Sequence, residues 1–381
     1  MDLQNIKICY VVTIPLTIEA FFISQLQYLA ANGFDVTVVC ANDVFLQKKL
    51  GKSVKYHPIK IPRGISIWGS VIALNRLTKF FKNEQFDMIQ YSTPNAAFYA
   101  SIASQKVHCK IRNYHLMGLR YLGAKGIKRI LLKYIEKLTC NNSTSIECVS
   151  PSNLELGIRE NLFPPEKATV VWNGSTGGVD LSRFNYSQRC SWRQEVRAEL
   201  GYNKNDFVFG FVGRITKDKG INEILGAFLS LKTDAKLFLI GSPENTRSLD
   251  SDLMMKAQNN DNIKFHNAVS DIERYYAAID VLLLPSYREG FGNVVIEAGA
   301  LGTPAIVSDI PGLKDTIIRN KTALVVSDKN TVELAEAMKR IQTMDYIAMG
   351  KNAVQFVSEN FDGMKLFLIA RKEYLIKRTF Q

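Results

Sequence analysis

At 381 residues the chain is longer than a single hydrophobic core usually supports, so its length predicts two domains. Its 46% hydrophobic and 22% charged residues are ordinary for a soluble globular protein. No apolar run reaches the roughly 18 residues that a membrane-spanning helix requires. The opening segment MDLQNIKICYVV has no basic stretch followed by an apolar core and a cleavage site, and therefore does not resemble a secretory signal.

The net charge of +12 is concentrated in one part of the chain. Residues 41–140 hold eighteen Lys and Arg against four acids, a balance of +14 that leaves −2 for the remainder. Such a basic field predicts an anionic partner on one face: nucleic acid, a phospholipid surface or a phosphorylated substrate. The alternative is a solvated basic surface that serves solubility.

The six cysteines show no CxxC pairing, and the four histidines are widely scattered. We interpret the cysteines as reduced thiols of a cytosolic protein, and we expect no metal site.

The first half of the chain alternates short apolar runs with helical patterns. A buried strand is predicted at 6–12, followed by a helix at 17–31 with Thr17 as its N-cap and Gly33 as its terminator. Further strands are predicted at 35–41, 54–59, 88–90, 109–114, 145–149 and 168–171, and further helices near 70–83, 95–104, 125–138 and 152–160. This alternation is typical of a parallel sheet covered on both faces.

A glycine-rich break then interrupts the pattern, and a second half begins. The break is assigned as a linker at 173–184, between a first domain at 1–172 and a second at 185–363. Strands of the second half are predicted at 207–212, 235–240, 263–265, 281–284, 305–307 and 322–326, with helices at 221–230 and 293–300. A final helix at about 364–381 is expected to return to the first domain. The predicted fold class is α/β, with two Rossmann-like domains whose parallel sheets face each other across a cleft.

The segment PSYREGFGNVVIEAGALGTPAIVSD (285–309) carries the strongest chemical signal. Gly290 and Gly292 flank a tight turn after a predicted strand, and Asn293 opens a helix whose N-terminus is suited to phosphate. Glu289 precedes the turn, where it can accept hydrogen bonds from ligand hydroxyls, and Glu297 lies one turn into the helix, where it can take a pair of ribose hydroxyls. The alternative is a surface loop whose acid merely caps the helix.

A second signal is FVFGFVGRITKDKGI (207–221). Arg214 and Lys219 bracket the loop after a predicted strand, and Gly220 closes it before the next helix. Cations in this arrangement could grip a diphosphate and neutralise charge on a departing phosphate. Because Arg and Lys are common in loops, this signal gains its weight from the glutamate segment in the same half.

Four motifs, GRITKDKG, EGFGNVVIE, LGTPAIVSD and NGSTGGVDLSRF, resemble the signatures of family 4 retaining glycosyltransferases, which have the GT-B fold. The resemblance covers essentially the whole chain. Within the family the sequence looks most like bacterial enzymes of capsular and surface polysaccharide synthesis, because of NGSTGGVDLSRF and of NYHLMGLRYLGAKG around His115.

The resemblance implies roles for individual residues. Arg214 and Lys219 would bind the diphosphate of a nucleotide-sugar donor, and Glu289 would contact the donor sugar. The resemblance favours UDP as the nucleotide, because it is common in the family. His115 would face that sugar from the first domain, and Glu297 would bind the ribose. Sugar and phosphate would be held by backbone amides of Phe291, Gly292, Asn293 and Val294, in the turn that begins at Gly290. No residue stands out as a covalent nucleophile, which favours a front-face reaction without a cofactor.

Two segments weigh against other kinds of enzyme. The first strand is followed by Thr13-Ile14-Pro15-Leu16-Thr17 in place of a glycine-rich loop, which leaves acceptor placement open and weighs against a dinucleotide oxidoreductase. The sequence Asp250-Ser251-Asp252 has the DxD spacing of metal-dependent glycosyltransferases, but its position before a helical pattern predicts a helix cap. We therefore expect a metal-independent enzyme.

Two other functions are compatible with parts of the sequence. The one most similar to a glycosyltransferase is a nucleotide-sugar 2-epimerase of the same fold, which would turn over the donor without an acceptor. A nucleic-acid-binding module would explain the basic charge, but it would leave the glutamate-bearing donor motif unexplained, so no nucleic-acid partner is expected. The donor sugar, the acceptor, the linkage and the oligomeric state stay open.

The basic region predicts a membrane surface as partner. On the helix predicted at 125–138, cationic side chains recur along one stripe, with apolar residues on the remaining sides. Such a helix can pack in the core with a solvated basic edge, which its pattern alone slightly favours, or lie on a bilayer, which the concentration of charge favours. The candidate membrane contacts are Lys125, Lys128, Arg129, Lys133 and Lys137. Arg112 and Arg120 are candidates for the phosphates of a polyprenyl-diphosphate-linked saccharide acceptor. The expected location is cytoplasmic, peripheral on the inner face of the cell membrane.

Overall fold

The chain forms two compact units of parallel sheet and helix. The structure is a computed structural model that describes residues 6–62, 67–244 and 246–379. The first unit runs to Gly177 and takes up the chain again from Met364, whereas the second comprises Gly178–Gly363. The division therefore falls inside the segment predicted as the linker.

The sheet of the first unit is parallel throughout, with the strand order β3-β2-β1-β4-β5-β6-β7 in its described residues. Most residues of the inner strands are buried because helices cover both faces of the sheet, whereas the edge strand β3 is largely exposed. The strands are β1 (Ile6–Val11), β2 (Phe34–Cys40), β3 (Val54–Pro58), β4 (Met88–Tyr91), β5 (Ile111–Leu116), β6 (Ser145–Cys148) and β7 (Ala168–Thr169).

The helices of the first unit are α1 (Pro15–Phe21), α2 (Ile23–Ala31), α3 (Leu46–Leu50), α4 (Ile67–Glu84), α5 (Pro94–Lys106), α6 (Gly126–Asn142), α7 (Pro151–Arg159) and α15 (Gly363–Thr379).

Two hydrophobic clusters lie on opposite faces of this sheet. One contains buried residues of α4, α5, α6 and α7, such as Leu77, Ala100 and Cys140. The other contains residues of α1, α2 and α3 together with Leu366, Ala370 and Tyr374 of α15. The helix at the end of the chain thus supplies part of the core of the first unit.

The second unit repeats the architecture with the strand order β10-β9-β8-β11-β12-β13, again all parallel. Its strands are β8 (Val208–Val212), β9 (Lys236–Ile240), β10 (Ile263–His266), β11 (Val281–Leu284), β12 (Ala305–Ser308) and β13 (Ala323–Val326). Its helices are α8 (Arg189–Glu199), α9 (Ile221–Ser230), α10 (Ser251–Gln258), α11 (Ile272–Ala278), α12 (Asn293–Ala300), α13 (Thr331–Gln342) and α14 (Tyr346–Asn360). Two Rossmann-like units with parallel sheets confirm the predicted fold class.

The first predicted helix differs from the structure in its detail. It is divided at the buried Phe22, whose backbone leaves the helical region, into α1 and α2. Thr17 lies inside α1 and is not its N-cap, because Pro15 occupies the first turn, where its fixed φ suits a helix start and its missing N–H is not needed. The prediction of Thr17 as the N-cap was wrong.

Within the described residues, none of the helices is both long and apolar enough to cross a membrane. All six cysteines lie in those ranges as free thiols, five of them buried and Cys190 exposed.

Candidate active site

The reversal of strand order in the second sheet places two loops side by side. From β8 the chain moves outward to β9 and β10, then returns to the other side of β8 as β11. Such a reversal opens a crevice at the carboxyl edge of a parallel sheet, where ligands of this architecture bind. The loop after β8 carries GRITKDKG, and the loop after β11 carries the glutamate segment.

The two loops are in direct contact. The backbone N–H of Tyr287 donates to the carbonyl of Asp218 at 2.9 Å. Gly220 has φ +76, and a Cβ there would lie 2.3 Å from the carbonyl oxygen of Pro285. Only glycine permits both this left-handed backbone and this close approach, which explains why the loop ends in Gly220.

Lys219 and Glu289 form the central ion pair of the site. The Lys219 Nζ lies 2.5 Å from Oε1 of Glu289, and the side chains are only 19% and 12% exposed. The sequence assigned both residues to a donor site, and the structure brings them together. A shielded cation can bind an anion, and the carboxylate beside it can accept hydrogen bonds from a set of hydroxyls.

A second ion pair lies alongside, in residues that the sequence analysis did not name. Arg288 contacts Asp218 at 2.9 Å, and the Thr216 hydroxyl donates to the same carboxylate at 2.7 Å. Burial alone would raise the pKa of Asp218, but Thr216 and the neighbouring cations lower it on balance. Asp218 and Arg288 could have been noticed in the sequence as charged residues inside the two motifs. Only the fold shows that they pair.

Arg214, on the loop after β8, forms a separate ion pair. Its Nη1 lies 2.9 Å from Oε2 of Glu244, and both side chains are about half exposed. The structure therefore places Arg214 on the same loop as Lys219 and pairs it with Glu244, while its charge also helps to lower the pKa of Asp218.

The start of α12 is shaped for an anion. Gly292 precedes the helix with φ +94, and as a glycine it has no side chain of its own to cap the helix N-terminus. A Cβ at Gly292 would meet Leu313 at 2.5 Å, so the turn is packed tightly against the loop after β12. Phe291 is buried against Phe361, which fixes the turn from Gly290 through Asn293 and Val294. Amide groups at such a terminus can bind phosphate.

Glu297 lies one turn into α12, where the sequence predicts a ribose contact. The hydroxyl of the buried Tyr276 donates to Glu297 Oε2 at 2.9 Å. Burial raises the pKa of Glu297, and the Tyr276 hydrogen bond opposes that shift. Tyr276, which the sequence analysis did not identify, thus orients this carboxylate.

His115 belongs to the first unit, and its ring is 2% exposed. Its Nδ1 lies 2.9 Å from Glu147 Oε1, and its Nε2 lies 3.2 Å from Thr176 Oγ1. Burial would raise the pKa of Glu147, but the hydrogen bond and charge of His115, with Lys377 and Asn113, lower it to about 2. Because an ionised carboxylate only accepts, we assign the Nδ1 proton to His115. With both nitrogens engaged, contact with a sugar stays a prediction.

The two arginines proposed for acceptor phosphates lie at different edges of the first sheet. Arg112 donates from Nε to the Asn142 carbonyl and from Nη1 to the Cys109 carbonyl, at the amino end of β5. Arg120 follows β5 in a short 3-10 helix, is exposed, and donates to Asn95 Oδ1 at 3.0 Å. Arg112 and Arg120 therefore lie at opposite edges of the sheet, and a contact of either with acceptor phosphates stays a prediction.

The basic stripe predicted on α6 is partly engaged within the protein. Lys133 Nζ lies 2.5 Å from Glu160 Oε2, and Arg129 Nη2 lies 3.6 Å from Glu160 Oε1. Both cations also approach the ring of Tyr121. The remaining residues of the predicted surface, Lys125, Lys128 and Lys137, are exposed. Arg129 and Lys133 are thus partly neutralised by Glu160, although their side chains are 45% and 37% exposed. A membrane contact of the five residues stays a prediction.

The DxD sequence is confirmed as a helix cap. Asp250 Oδ1 accepts hydrogen bonds from the backbone N–H groups of Asp252 and Leu253, at 3.0 Å each, at the start of α10. Among the residues that the structure describes, no group of three or more His, Cys, Asp or Glu side chains could hold a metal ion. Metal independence stays a prediction.

Two family models cover most of the chain. The model described as glycosyl transferases group 1 matches residues 193–356, and the model described as glycosyltransferase family 4 matches residues 18–182. The capsular polysaccharide biosynthesis glycosyltransferase CapM of Staphylococcus aureus is 31% identical over 345 residues, covering 89% of this chain and 88% of that protein.

A second relative is the UDP-Gal:alpha-D-GlcNAc-diphosphoundecaprenol alpha-1,3-galactosyltransferase of Escherichia coli, 26% identical over 95% of both chains. Among solved structures, sucrose-phosphate synthase of Thermosynechococcus elongatus has a TM-score of 0.78 at 21% identity and covers 99% of this chain and 100% of its own. Anabaena HepE in complex with UDP and glucose has a TM-score of 0.78 at 17% identity, covering 97% and 99%. The chain therefore belongs to glycosyltransferase family 4, and it is a glycosyltransferase with the GT-B fold.

Proposed function

We propose that the enzyme transfers a sugar from a nucleotide-diphosphate donor, with UDP favoured, to a polyprenyl-diphosphate-linked saccharide in capsule or surface polysaccharide synthesis, and that it retains the anomeric configuration. The observation that carries the donor half of this proposal is the shielded Lys219–Glu289 pair, whose carboxylate lies on the loop that leads through Gly292 into the start of α12. A cation and a helix N-terminus suit a diphosphate, and a carboxylate suits sugar hydroxyls.

In this assignment Lys219 and Arg214 bind the donor diphosphate, with Arg214 leaving Glu244 to do so. Glu289 accepts hydrogen bonds from the sugar hydroxyls, and Glu297, oriented by Tyr276, accepts them from the ribose. The backbone of Gly290–Val294 holds sugar and phosphate. The preference for UDP is supported by the Anabaena HepE structures with UDP and UDP-glucose, and by the E. coli relative that uses UDP-Gal.

The reaction would proceed on one face of the sugar. As the bond between the anomeric carbon and the diphosphate oxygen breaks, the acceptor hydroxyl approaches from the same side and forms the new bond. Its proton passes to the departing diphosphate, whose growing charge is stabilised by Lys219, Arg214 and the start of α12. Preorganised donors of this kind, aimed at charge that develops in the transition state, are worth roughly 10²–10³ in kcat each.

The acceptor assignment is supported by three relatives. CapM is named for capsular polysaccharide biosynthesis, the E. coli relative for an N-acetylglucosamine-diphosphoundecaprenol acceptor, and a Campylobacter jejuni relative, 26% identical, for a diphospho-undecaprenol-linked sugar. An acceptor of this kind is held in the membrane by its polyprenyl chain. We therefore place the enzyme at the inner face of the cell membrane, as a peripheral protein.

We also propose that no metal ion takes part. The clamp of Lys219, Arg214 and α12 supplies positive charge at the leaving group, and the DxD sequence is occupied as a helix cap. Transfer should persist unchanged in EDTA. Loss of activity on chelation that Mn²⁺ or Mg²⁺ restores would contradict this part of the proposal.

The proposal is tested by incubating the purified enzyme with a panel of nucleotide sugars and a short-chain polyprenyl-diphosphate saccharide. We expect the acceptor to gain one sugar, with the anomeric configuration of the donor retained. A thermal-shift screen selects the donor, since a ligand at 100 times its Kd adds about 2.7 kcal/mol of stability. A parallel reaction without acceptor separates the alternative, because a nucleotide-sugar 2-epimerase would consume the donor there at the full rate.

A further inference from the structure

Two helices on one side of the first sheet leave apolar side chains in solvent. Helices α4 and α6 both contribute to the hydrophobic cluster that also holds α5, and α5 lies between them in contact with each. The three helices therefore form one layer, whose inner side faces the sheet. Its outer side is built from the exposed faces of α4 and α6.

The outward face of α6 is apolar. Ile127 and Ile130 are 86% and 70% exposed, and Leu131 and Tyr134 are also exposed, at the spacing of a single helical stripe. The opposite side of the helix is buried through Glu136, Thr139 and Cys140. The stripe therefore points directly away from the core.

The outward face of α4 begins in the same way. Trp68 is 81% exposed, and Val71 and Ile72 are each 49% exposed, while Ala73, Leu77 and Phe81 bury the other side. We call the exposed apolar residues of both helices the α4–α6 face: Trp68, Val71, Ile72, Ile127, Ile130, Leu131 and Tyr134.

The charge around the α4–α6 face has one sign. Arg76, Lys79 and Lys82 continue the outward stripe of α4, and Lys125, Lys128 and Lys137 lie on or beside α6. In the described part of the chain, none of these six cations has an ion-pair partner. The acids of the two helices are Glu84, at the end of α4, and Glu136, which is buried. An apolar centre bearing Trp and Tyr, bordered by these six cations, complements an anionic phospholipid surface.

The position of the face agrees with this partner. Helices that connect parallel strands run opposite to them, so α4 and α6 start at the carboxyl edge of the first sheet. Trp68 and Ile127 lie at those starts, at the same edge as Arg120. The apolar side chains thus lie close to the edge where ligands of such sheets bind, and the basic residues of α4 continue away from it.

We propose that the α4–α6 face inserts its apolar side chains among the lipids of an anionic bilayer, with the bordering lysines on the headgroups. The usefulness of this contact rests on the proposed lipid-linked acceptor, but the contact itself needs neither donor nor acceptor. Of the basic residues on α6, Lys125, Lys128 and Lys137 take part, because Arg129 and Lys133 are engaged by Glu160.

The test is co-sedimentation of the full chain with phosphatidylcholine vesicles, with and without phosphatidylglycerol, in the absence of substrates. We expect binding to the anionic vesicles, reduced by about tenfold or more when Trp68, Ile127 and Ile130 are replaced by Ser, because that much apolar area no longer leaves water. Replacing Lys125, Lys128 and Lys137 with Gln should weaken binding about fivefold per residue, and this loss should shrink in high salt.

Matched controls come from the second unit. Val332→Ser with Ile347→Ser removes two similarly exposed apolar residues, and Lys339→Gln with Lys351→Gln removes two exposed lysines. These variants should bind like the wild type. Because every changed residue is exposed, we expect all of the variants to keep the wild-type melting temperature.

A spectroscopic arm reports on insertion itself. The chain has three tryptophans, and Trp68 is the one on this face. Anionic vesicles should shift the tryptophan emission to shorter wavelength in the wild type and not in Trp68→Phe. Equal sedimentation of the wild type and the Ser variant, or a shift that persists in Trp68→Phe, would overturn the proposal. A wild-type enzyme that binds the vesicles but transfers no sugar to the acceptor would instead count against the proposed function.

Discussion

The Lys219 ammonium lies 2.5 Å from the Glu289 carboxylate although the two residues are 70 positions apart in the chain. They come from the loops after β8 and β11, the two strands between which the order of the second sheet reverses. Each residue neutralises the other in the free enzyme. We expect a donor diphosphate to compete for Lys219, leaving the Glu289 oxygens for the sugar hydroxyls.

Separating the roles of the pair gives the first prediction. Lys219→Ala should weaken UDP binding and lower kcat by roughly 10²–10³, because a cation is lost where charge develops on the leaving group. Glu289→Gln should lower kcat with the nucleotide sugar while UDP binding stays close to that of the wild type. Titration calorimetry with UDP and initial-rate assays measure the two effects.

The control for this prediction is Arg319→Ala, which removes an exposed ion pair with Asp309 elsewhere in the second unit. It should change neither UDP binding nor kcat. A folded Lys219→Ala enzyme with wild-type turnover would refute the donor-site assignment.

Glu136 gives a pH-dependent prediction for the first unit. Burial raises the pKa of Glu136 from 4.5 to about 7, despite the opposing hydrogen bond from the Tyr114 hydroxyl. A raised pKa contributes stability that is fully present below 4.5 and is lost as the pH rises through 7. The loss is roughly 3 kcal/mol, at about 1.4 kcal/mol for each unit of difference.

Glu136→Gln removes this titration, so the variant should match the wild type at pH 5 and be more stable at pH 8. Denaturant unfolding of both proteins at the two pH values measures the difference, in which every other titrating group cancels. A variant that is equally stable or less stable than the wild type at pH 8 would show that the buried carboxylate does not titrate in this range.

Much of the second unit could be predicted from its sequence. The bounds of α9, β11 and α12 agree with the prediction because each is a continuous apolar or amphipathic run closed by glycine or a polar turn. Lys219 and Glu289 could be assigned to one site because both follow strands of one parallel sheet, and the carboxyl ends of such strands share an edge.

Side-chain pairing could not be predicted in the same way. Arg214 looked equivalent to Lys219 on its loop, but only the fold shows that Glu244 engages it. Arg112 and Arg120 were equivalent candidates for acceptor phosphates, but β5 carries the chain between them from one edge of the sheet to the other. The recurrence of cations on α6 was visible in the sequence. Glu160, which forms ion pairs with two of them, lies after α7 and could not be assigned as their partner.

His115 and Glu147 give the third prediction, which concerns stability. Glu147 is buried with its pKa lowered to about 2, so its contribution is present above the ordinary value of 4.5 and is lost as the pH falls through 2. His115→Phe leaves this carboxylate without its nearest hydrogen-bond donor. Breaking a buried pair from one side typically costs about 3–5 kcal/mol.

The double variant His115→Phe/Glu147→Gln should recover part of that loss at pH 7, because the unpaired buried charge is then absent. Denaturant unfolding of the four proteins of the cycle gives the coupling energy, for which we expect about 1–3 kcal/mol. Simple additivity of the two single changes would contradict a direct interaction between the side chains.

The last prediction concerns Gly220, where the loops after β8 and β11 touch. Its φ is +76, and a Cβ there would lie 2.3 Å from the Pro285 carbonyl oxygen. Gly201, in the same unit, has φ +66, and the nearest atom to its Cβ would be the flexible end of Lys264 at 3.9 Å. Alanine at Gly201 should therefore cost only the strain of a left-handed backbone, about 1–2 kcal/mol, with turnover unchanged.

Alanine at Gly220 adds a collision with rigid backbone, which must push the loop that carries Lys219 away from Glu289. We expect Gly220→Ala to lose both stability and UDP affinity, measured by thermal unfolding and calorimetry, whereas equal UDP affinity in the two variants would mean that the close contact with Pro285 does not position Lys219.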